Sequence, residues 1–229
     1  MKKNILLVIV FTLALTACTP QAQPTVDSAA PTDEAVDLLA DELIQLLSVN
    51  LGLDESAIVL ISREDAEFGD ACLEVARFDT ACTQVVTPGY IFNFEANGIE
   101  YEYRTDAVGD SIQPATVAMT WIREGGIAGF CDHLTVYLSG EVYASSCRTQ
   151  PNETSGYFSE LLSAAQITEF NTWYQKFGVS RLDESDPAGV ADRMVNTLEF
   201  FGGGTGKPGK VDQQALFAWA MALFQKLHS

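Results

Sequence analysis

Five cysteines, two histidines and 31 acidic side chains carry whatever chemistry this chain of 229 residues can perform. Thiols and imidazoles point first to a metal centre or a nucleophile. Zinc sites draw their Cys and His ligands in closely spaced pairs. Cys72, Cys82, Cys131 and Cys147 show no such spacing, and only His133 and His228 could assist. A serine or cysteine nucleophile needs a base, usually histidine. His133 stands between Asp132 and Leu134 at the start of a strand, and His228 is penultimate and expected to fray. The acids offer many carboxylate pairs for hydrolysis, none with distinguishing context. Asp183-Glu184-Ser185-Asp186 lacks EF-hand spacing and glycine and reads as a solvated loop. Gly202-Gly203-Gly204-Thr205-Gly206-Lys207-Pro208 superficially looks like a phosphate loop. However, Phe201 occupies the place of the first P-loop glycine and Pro208 replaces the hydroxyl. That stretch reads as a flexible strand-to-helix connection, with Lys207 and Lys210 as solvated loop lysines. The reading is a non-enzymatic chain with no metal and no cofactor.

Cys18 has a different setting. Lys2 and Lys3 form a positive n-region, Ile5 to Leu15 an apolar run, and Leu15-Thr16-Ala17 leads directly into Cys18. This pattern resembles the lipobox of bacterial lipoprotein signal peptides. The resemblance implies cleavage before Cys18, so that residues 1–17 are removed, and lipidation of its thiol by diacylglycerol, with palmitate as a typical chain. The apolar run falls short of the roughly 20 residues that span a bilayer. The expected address is therefore the cell envelope, extracytoplasmic and held to a membrane by lipid. Residues 18–33 are rich in Pro, Thr, Ala, Gln and Ser and read as a flexible tether.

Export bears on the other four thiols. An even number of cysteines outside the cytoplasm points to two disulfides, for which three connectivities exist. The local pairing, Cys72–Cys82 with Cys131–Cys147, places one bridge in each half of the chain. Each would stabilise by about 3 kcal/mol in the loop-entropy model. Charge excludes one partner class. The chain carries 13 basic against 31 acidic residues, −18, and loss of Lys2 and Lys3 leaves 11 against 31, −20. Such a surface repels polyanions, so nucleic acid is not an expected partner.

Two modules, residues 34–107 and 115–229, are expected to meet near Val108 to Pro114. In the first, Val36, Leu39, Leu43, Leu46 and Leu47 mark a helix over residues 34–51, with Asp33 as N-cap and Gly52 as stop. Residues 57–62 read as a strand, followed by a loop through both cysteines. Tyr90, Phe92 and Phe94 alternate on one face up to Asn97-Gly98, a strong hairpin signal, and Ile99, Tyr101 and Tyr103 continue the return strand. These aromatics are assigned to core facing the helix. In the second module, residues 116–123 read as a strand leading into the turn Glu124-Gly125-Gly126-Ile127-Ala128-Gly129-Phe130. Leu134 to Leu138 alternates into Ser139-Gly140, and residues 141–147 return. Ser163-Ala164-Ala165-Gln166 fits a capping box before the stripe Ile167, Phe170, Trp173, Tyr174 and Phe177, which Gly178 ends. Residues 195–201 read as a strand, and Leu216, Trp219, Ala220 and Leu223 line a terminal helix over 212–227. The fold class is α+β: two small domains, each an antiparallel sheet packed with one or two helices.

Two family resemblances follow. Asp70-Ala71-Cys72-Leu73, then Cys82-Thr83-Gln84-Val85-Val86-Thr87-Pro88-Gly89-Tyr90, then Tyr101-Glu102-Tyr103-Arg104-Thr105-Asp106 resemble an uncharacterised extracellular domain of bacterial lipoproteins and secreted proteins. That implies a fold unit and no chemistry. The glycine-rich turn alone reads as a strand connection needing positive φ. Taken with the order of elements around it, residues 115–227 resemble the emfourin family, small protein inhibitors of thermolysin-like metallopeptidases. Gly125-Gly126-Ile127-Ala128-Gly129 carries the sharpest part of that resemblance. It implies a secreted or envelope metallopeptidase as partner and Gly125, Gly126, Ile127, Ala128, Gly129 and Phe130 as the binding segment, with Ile127 and Phe130 as apolar contacts. Emfourin-family members lack a lipid anchor, and Cys131 and Cys147 are additions here. The alternative is a structural or ligand-binding envelope lipoprotein without inhibitory action.

Overall fold

The protein is described by a computed structural model over residues 33–75, 77–78, 80–147 and 157–228. The signal segment 1–17, Cys18 and the tether up to residue 32 lie outside the described residues. Among the described residues, three α-helices and two antiparallel sheets, one of four strands and one of six, make the fold α+β.

α1 (Asp33–Leu51) buries Val36, Leu39, Ala40, Leu43 and Leu47, the apolar stripe that the 3.6-residue period places on one face. β1 (Ile58–Phe68), β2 (Thr87–Ala96), β3 (Ile99–Asp106) and β4 (Ile112–Pro114) follow in sheet order. Asn97 and Gly98 both take positive φ, 54° and 73°, as a two-residue hairpin turn requires. Its register pairs Phe94 with Tyr101 and Phe92 with Tyr103. All four rings are buried with Tyr90, as expected for core. Burial of each such side chain contributes about 1.5–3 kcal/mol.

β1 runs well past the expected strand, because its second half, Arg63 to Glu67, is polar and hides from hydrophobic patterning. The register slips between Leu60 and Ser62, so Ile61 forms a bulge on this edge strand, a feature that discourages edge-to-edge pairing. Val108 to Pro114 is not simply a linker. Its last three residues are β4, with Tyr103 opposite Pro114 and Thr105 opposite Ile112.

The second sheet has the order β8-β7-β6-β5-β10-β9, formed by β5 (Val117–Gly125), β6 (Phe130–Tyr137), β7 (Glu141–Ser146), β8 (Tyr157–Leu161), β9 (Ser180–Asp183) and β10 (Met194–Phe200). β8 and β9 are short edge strands without a strong apolar pattern, and neither is expected from the sequence. One cross-strand row, Ala144, Leu134, Trp121 and Leu198, points inward. Against this face pack α2 (Ala164–Lys176) and α3 (Lys210–Leu227), with Trp121 and Phe224 rings 5.5 Å apart and Phe170 and Phe200 5.6 Å apart. Ser163 and Gln166 form the expected capping box on α2.

Leu134 to Leu138 is buried at every position rather than at alternate ones. The helices cover its inner face. On the outer face the cystine loop of the first module lies across the sheet, with Arg77 stacked 3.7 Å over the Tyr143 ring and Phe78 4.3 Å from His133. Arg77 also hydrogen-bonds the Gln113 side chain. His228 is not frayed: its ring sits 4.9 Å from Phe158 and 5.7 Å from Phe224.

Pro31–Ser229 forms one compact unit, and one hydrophobic cluster runs through both sheets. A polar knot joins the modules. Glu141 accepts hydrogen bonds from Asn50 Nδ2 (2.9 Å), the Tyr103 hydroxyl (2.8 Å) and Ser139 Oγ. Burial holds the Tyr103 hydroxyl well above its ordinary pKa, and the neighbouring Glu141 charge pushes it further up.

Candidate functional site

The glycine-rich hairpin between β5 and β6 stands at one end of the six-stranded sheet. Its strands pair up to Gly125 opposite Phe130. The Gly129 N–H then donates to the Gly126 carbonyl (2.9 Å) and closes the tip. Ile127 projects from that tip with 94 % of its surface exposed, beside exposed Ala128 and Gly129. Gly125 has a structural reason to be glycine. Its φ is +78°, and a Cβ there would overlap the Arg193 carbonyl oxygen. The Gly126 N–H donates to that same carbonyl (3.2 Å), which joins the hairpin to the segment entering β10.

Below the tip lies an arrangement not expected from the sequence. Asn196, Arg123, Asp132 and Ser146 are cross-strand partners in one row, in phase with the inward row of Trp121 and Leu134. Asp132 is fully buried. Its Oδ2 accepts from Arg123 Nε (3.0 Å) and Nη2 (2.6 Å), and its Oδ1 from Ser146 Oγ (2.8 Å). The Arg123 guanidinium also stacks 4.1 Å over the Phe130 ring. Trp121 Nε1 donates to Asn196 Oδ1 (2.7 Å). A signal for this pair did exist. Arg123 and Asp132 flank the glycine turn at positions in phase with Trp121 and Leu134, and two opposite charges at inward positions of a hairpin must pair or be left unpaired at high cost. Phe130 is accordingly half-buried beneath Arg123 at the root, while Ile127 is the apolar side chain presented to solvent.

Both expected disulfides are present: Cys72–Cys82 with Cα atoms 5.6 Å apart and Cys131–Cys147 with 5.8 Å. Cys131 follows Phe130 directly, so its bridge ties the hairpin root to the end of β7. Asp70 lies near Cys72 and Cys82, but both sulfurs are committed to the disulfide and the Asp70 carboxylate accepts from the Cys72 and Glu74 N–H groups.

The remaining sequence candidates find structural partners. In the acidic run, Asp183 accepts from the Thr197 hydroxyl (2.7 Å) and Asp186 from the Met194 N–H (2.9 Å). These carboxylates tie the β9–β10 loop to β10. The Gly202–Gly206 segment is pinned rather than flexible. Gly203 and Gly204 N–H groups donate to the Tyr174 carbonyl, Gly204 also to Phe177, and Gly206 to Lys176, so this segment caps the open carbonyls of α2. Lys207 and Lys210 are exposed. His133 lies between Phe78 and Glu124, its Nε2 3.3 Å from the Glu124 carboxylate. Where the two modules meet, Gly98, Ile99, Glu100, Tyr174, Gln175 and Gly203 line an open groove of about 380 Å³. Burial first, and then Tyr174, push the Tyr101 phenol up to about 12. Among the described residues no helix is long and apolar enough to cross a membrane.

Comparison with known proteins reaches the first module. A family described as a domain of unknown function (DUF8738) matches residues 40–114, and no part of the second module falls within that span. No curated protein and no solved structure matches the chain.

Proposed function

We propose that this chain is a lipid-anchored, extracytoplasmic protein-binding lipoprotein. In this reading its second module offers the Gly125–Phe130 hairpin to the cleft of a thermolysin-like metallopeptidase and inhibits it. The observation that carries the reading is an isoleucine, 94 % exposed, on the tip of a hairpin braced at its root. Exposing an aliphatic side chain on a loop forgoes its hydrophobic stabilisation. Bracing that loop with a buried ion pair and a disulfide lowers the ordering cost of binding. Together these are what a rigid apolar probe for a concave site requires. The Gly125-Gly126-Ile127-Ala128-Gly129 resemblance supplies the target class, and the Leu15-Thr16-Ala17-Cys18 pattern supplies the anchor.

The test is a titration of the soluble exported chain, residues 19–229, against thermolysin-like peptidases. Inhibition at or below micromolar concentration, lost in Ile127→Asp, is the expected result. Absence of inhibition by the parent removes the reading for the enzymes assayed. A second reading, a ligand-binding envelope lipoprotein without inhibitory action, draws support from the groove between Glu100 and Tyr174. It predicts that soluble envelope glycans or peptides protect the Gly98–Glu100 backbone from hydrogen exchange while the hairpin stays unchanged.

A further inference from the structure

The hairpin has a neighbour. β5 and β10 are adjacent antiparallel strands, and Gly125, the last residue of β5, pairs with Met194, the first of β10. The β5–β6 hairpin and the β9–β10 loop therefore leave the sheet side by side at the same end. They are joined as well as adjacent. The Arg193 carbonyl accepts the Gly126 N–H and occupies the space where a Gly125 side chain would begin. Gly126 also lies against Met194 and Phe130, with the position of a Cβ 3.7 Å from Met194 Cβ.

The root of the second loop is held by Asp186 at three points. Its N–H donates to the Met194 carbonyl (3.0 Å), its carboxylate accepts the Met194 N–H (2.9 Å), and its carbonyl accepts Arg193 Nε (2.8 Å). Ser185 Oγ accepts the Asn196 N–H (3.3 Å), and the Val190 N–H closes a turn onto the Pro187 carbonyl (3.4 Å). Beyond this root, residues 187–193 are all exposed, and Val190 shows 48 % of its surface. Val190 is the large aliphatic side chain of that loop, as Ile127 is of the hairpin. Asp192 and Arg193 follow it two and three residues on.

We infer that the β9–β10 loop is the second half of the partner-binding surface, and that Ile127 and Val190 are paired apolar contacts on one two-loop ridge. This rests on the hairpin being the inhibitory segment and deepens that reading. The kind of partner follows from the shape. Two aliphatic projections on a braced, convex ridge fit a concave protein surface with neighbouring apolar depressions, as in a peptidase cleft that holds an extended peptide by successive side chains. A flat partner would leave both loops in water. Rigidity matters again, because the hydrogen bonds at the root of the second loop reduce what must be ordered on contact.

The experiment compares the soluble exported chain with Ile127→Asp, Val190→Asp, Val190→Ala and Val211→Asp against one thermolysin-like peptidase. Val211 is 79 % exposed in the first turn of α3, at the far end of that helix from Met221, which contacts Arg123, and it serves as the control. Circular dichroism checks that each variant folds. Val190→Asp should raise the inhibition constant by at least about tenfold, Val190→Ala by less, and Val211→Asp by less than about twofold, the first being the scale of a central contact. If Ile127→Asp abolishes inhibition while Val190→Asp matches the parent within twofold, the hairpin reading stands and the two-loop ridge is overturned. If Val211→Asp weakens inhibition as much as Val190→Asp, the effect is general surface charge and the ridge is likewise overturned. A parent that does not inhibit overturns both.

Discussion

Replacing Asp132 with alanine is the sharpest structural test of how the hairpin is braced. In the native chain the carboxylate is fully buried, and Arg123, whose side chain is 14 % exposed, meets it with two nitrogens. Removing the acid leaves a guanidinium almost out of water without its counter-charge, which costs about 3–5 kcal/mol. Ser146 Oγ loses its acceptor at the same time. For a chain of this size each kcal/mol moves the melting temperature by about 2–4 °C, so a fall of roughly 6–20 °C is expected. The double variant Arg123→Met/Asp132→Leu should recover most of that loss, because replacing both members by apolar groups removes the desolvation penalty with the attraction. Glu199→Ala supplies the contrast. Glu199 pairs with Arg181 at 2.7 Å, but the two side chains are 40 % and 62 % exposed, and the loss should stay below about 1 kcal/mol. Urea denaturation followed by circular dichroism measures all four. An Asp132→Ala cost no greater than that of Glu199→Ala would refute the claim that a buried ion pair roots the hairpin.

Gly125→Ala should destabilise by about 1–3 kcal/mol or more, since strained φ and overlap with the Arg193 carbonyl act together, whereas Gly129→Ala, with φ +63° and open space around it, should cost about 1 kcal/mol; denaturation midpoints separate them. Cys72→Ser/Cys82→Ser should cost about 3 kcal/mol in the chain-entropy model, and non-reducing peptide mapping of the parent should find Cys72 joined to Cys82 and Cys131 to Cys147. The Tyr101 pKa is raised to about 12 in the folded chain from 10.0, so its stabilising contribution is full below pH 10 and declines as pH rises from 10 through 12. Difference absorbance at alkaline pH should show this phenol ionising last with Tyr103, and ionisation near pH 10 in the folded chain would contradict its burial. Cys18→Ser should abolish incorporation of a fatty-acid probe in the producing cells, and undiminished label on the variant would overturn the lipid anchor.

Sequence patterning succeeded where one face of an element meets the core and the other meets water. The stripe of α1, the aromatic alternation of the β2–β3 hairpin and the Ser163 capping box were all legible for that reason. It failed where that condition lapses. β1 is polar through its second half because it is an edge strand, and Leu134 to Leu138 is covered on both sides because Arg77 and Phe78 arrive from another part of the chain. β8 and β9 are too short for a period to emerge. The glycine turn was legible as a turn; its ion pair was signalled only by the phase of Arg123 and Asp132 with Trp121 and Leu134, and emerges once the strand register is known. Gly202–Gly206 read as flexible from composition; its order comes from the α2 carbonyls it caps, which no local pattern reveals.

The proposed inhibitory mode places the hairpin inside a metallopeptidase cleft. Calorimetric titration of residues 19–229 into a thermolysin-like peptidase, with the cleft empty and then filled by a small zinc-directed inhibitor, tests it most directly. Binding at micromolar or tighter affinity to the open enzyme is expected, abolished both by the occupied cleft and by Ile127→Asp. Binding that persists undiminished with the cleft filled, or no binding to the open enzyme, would contradict it.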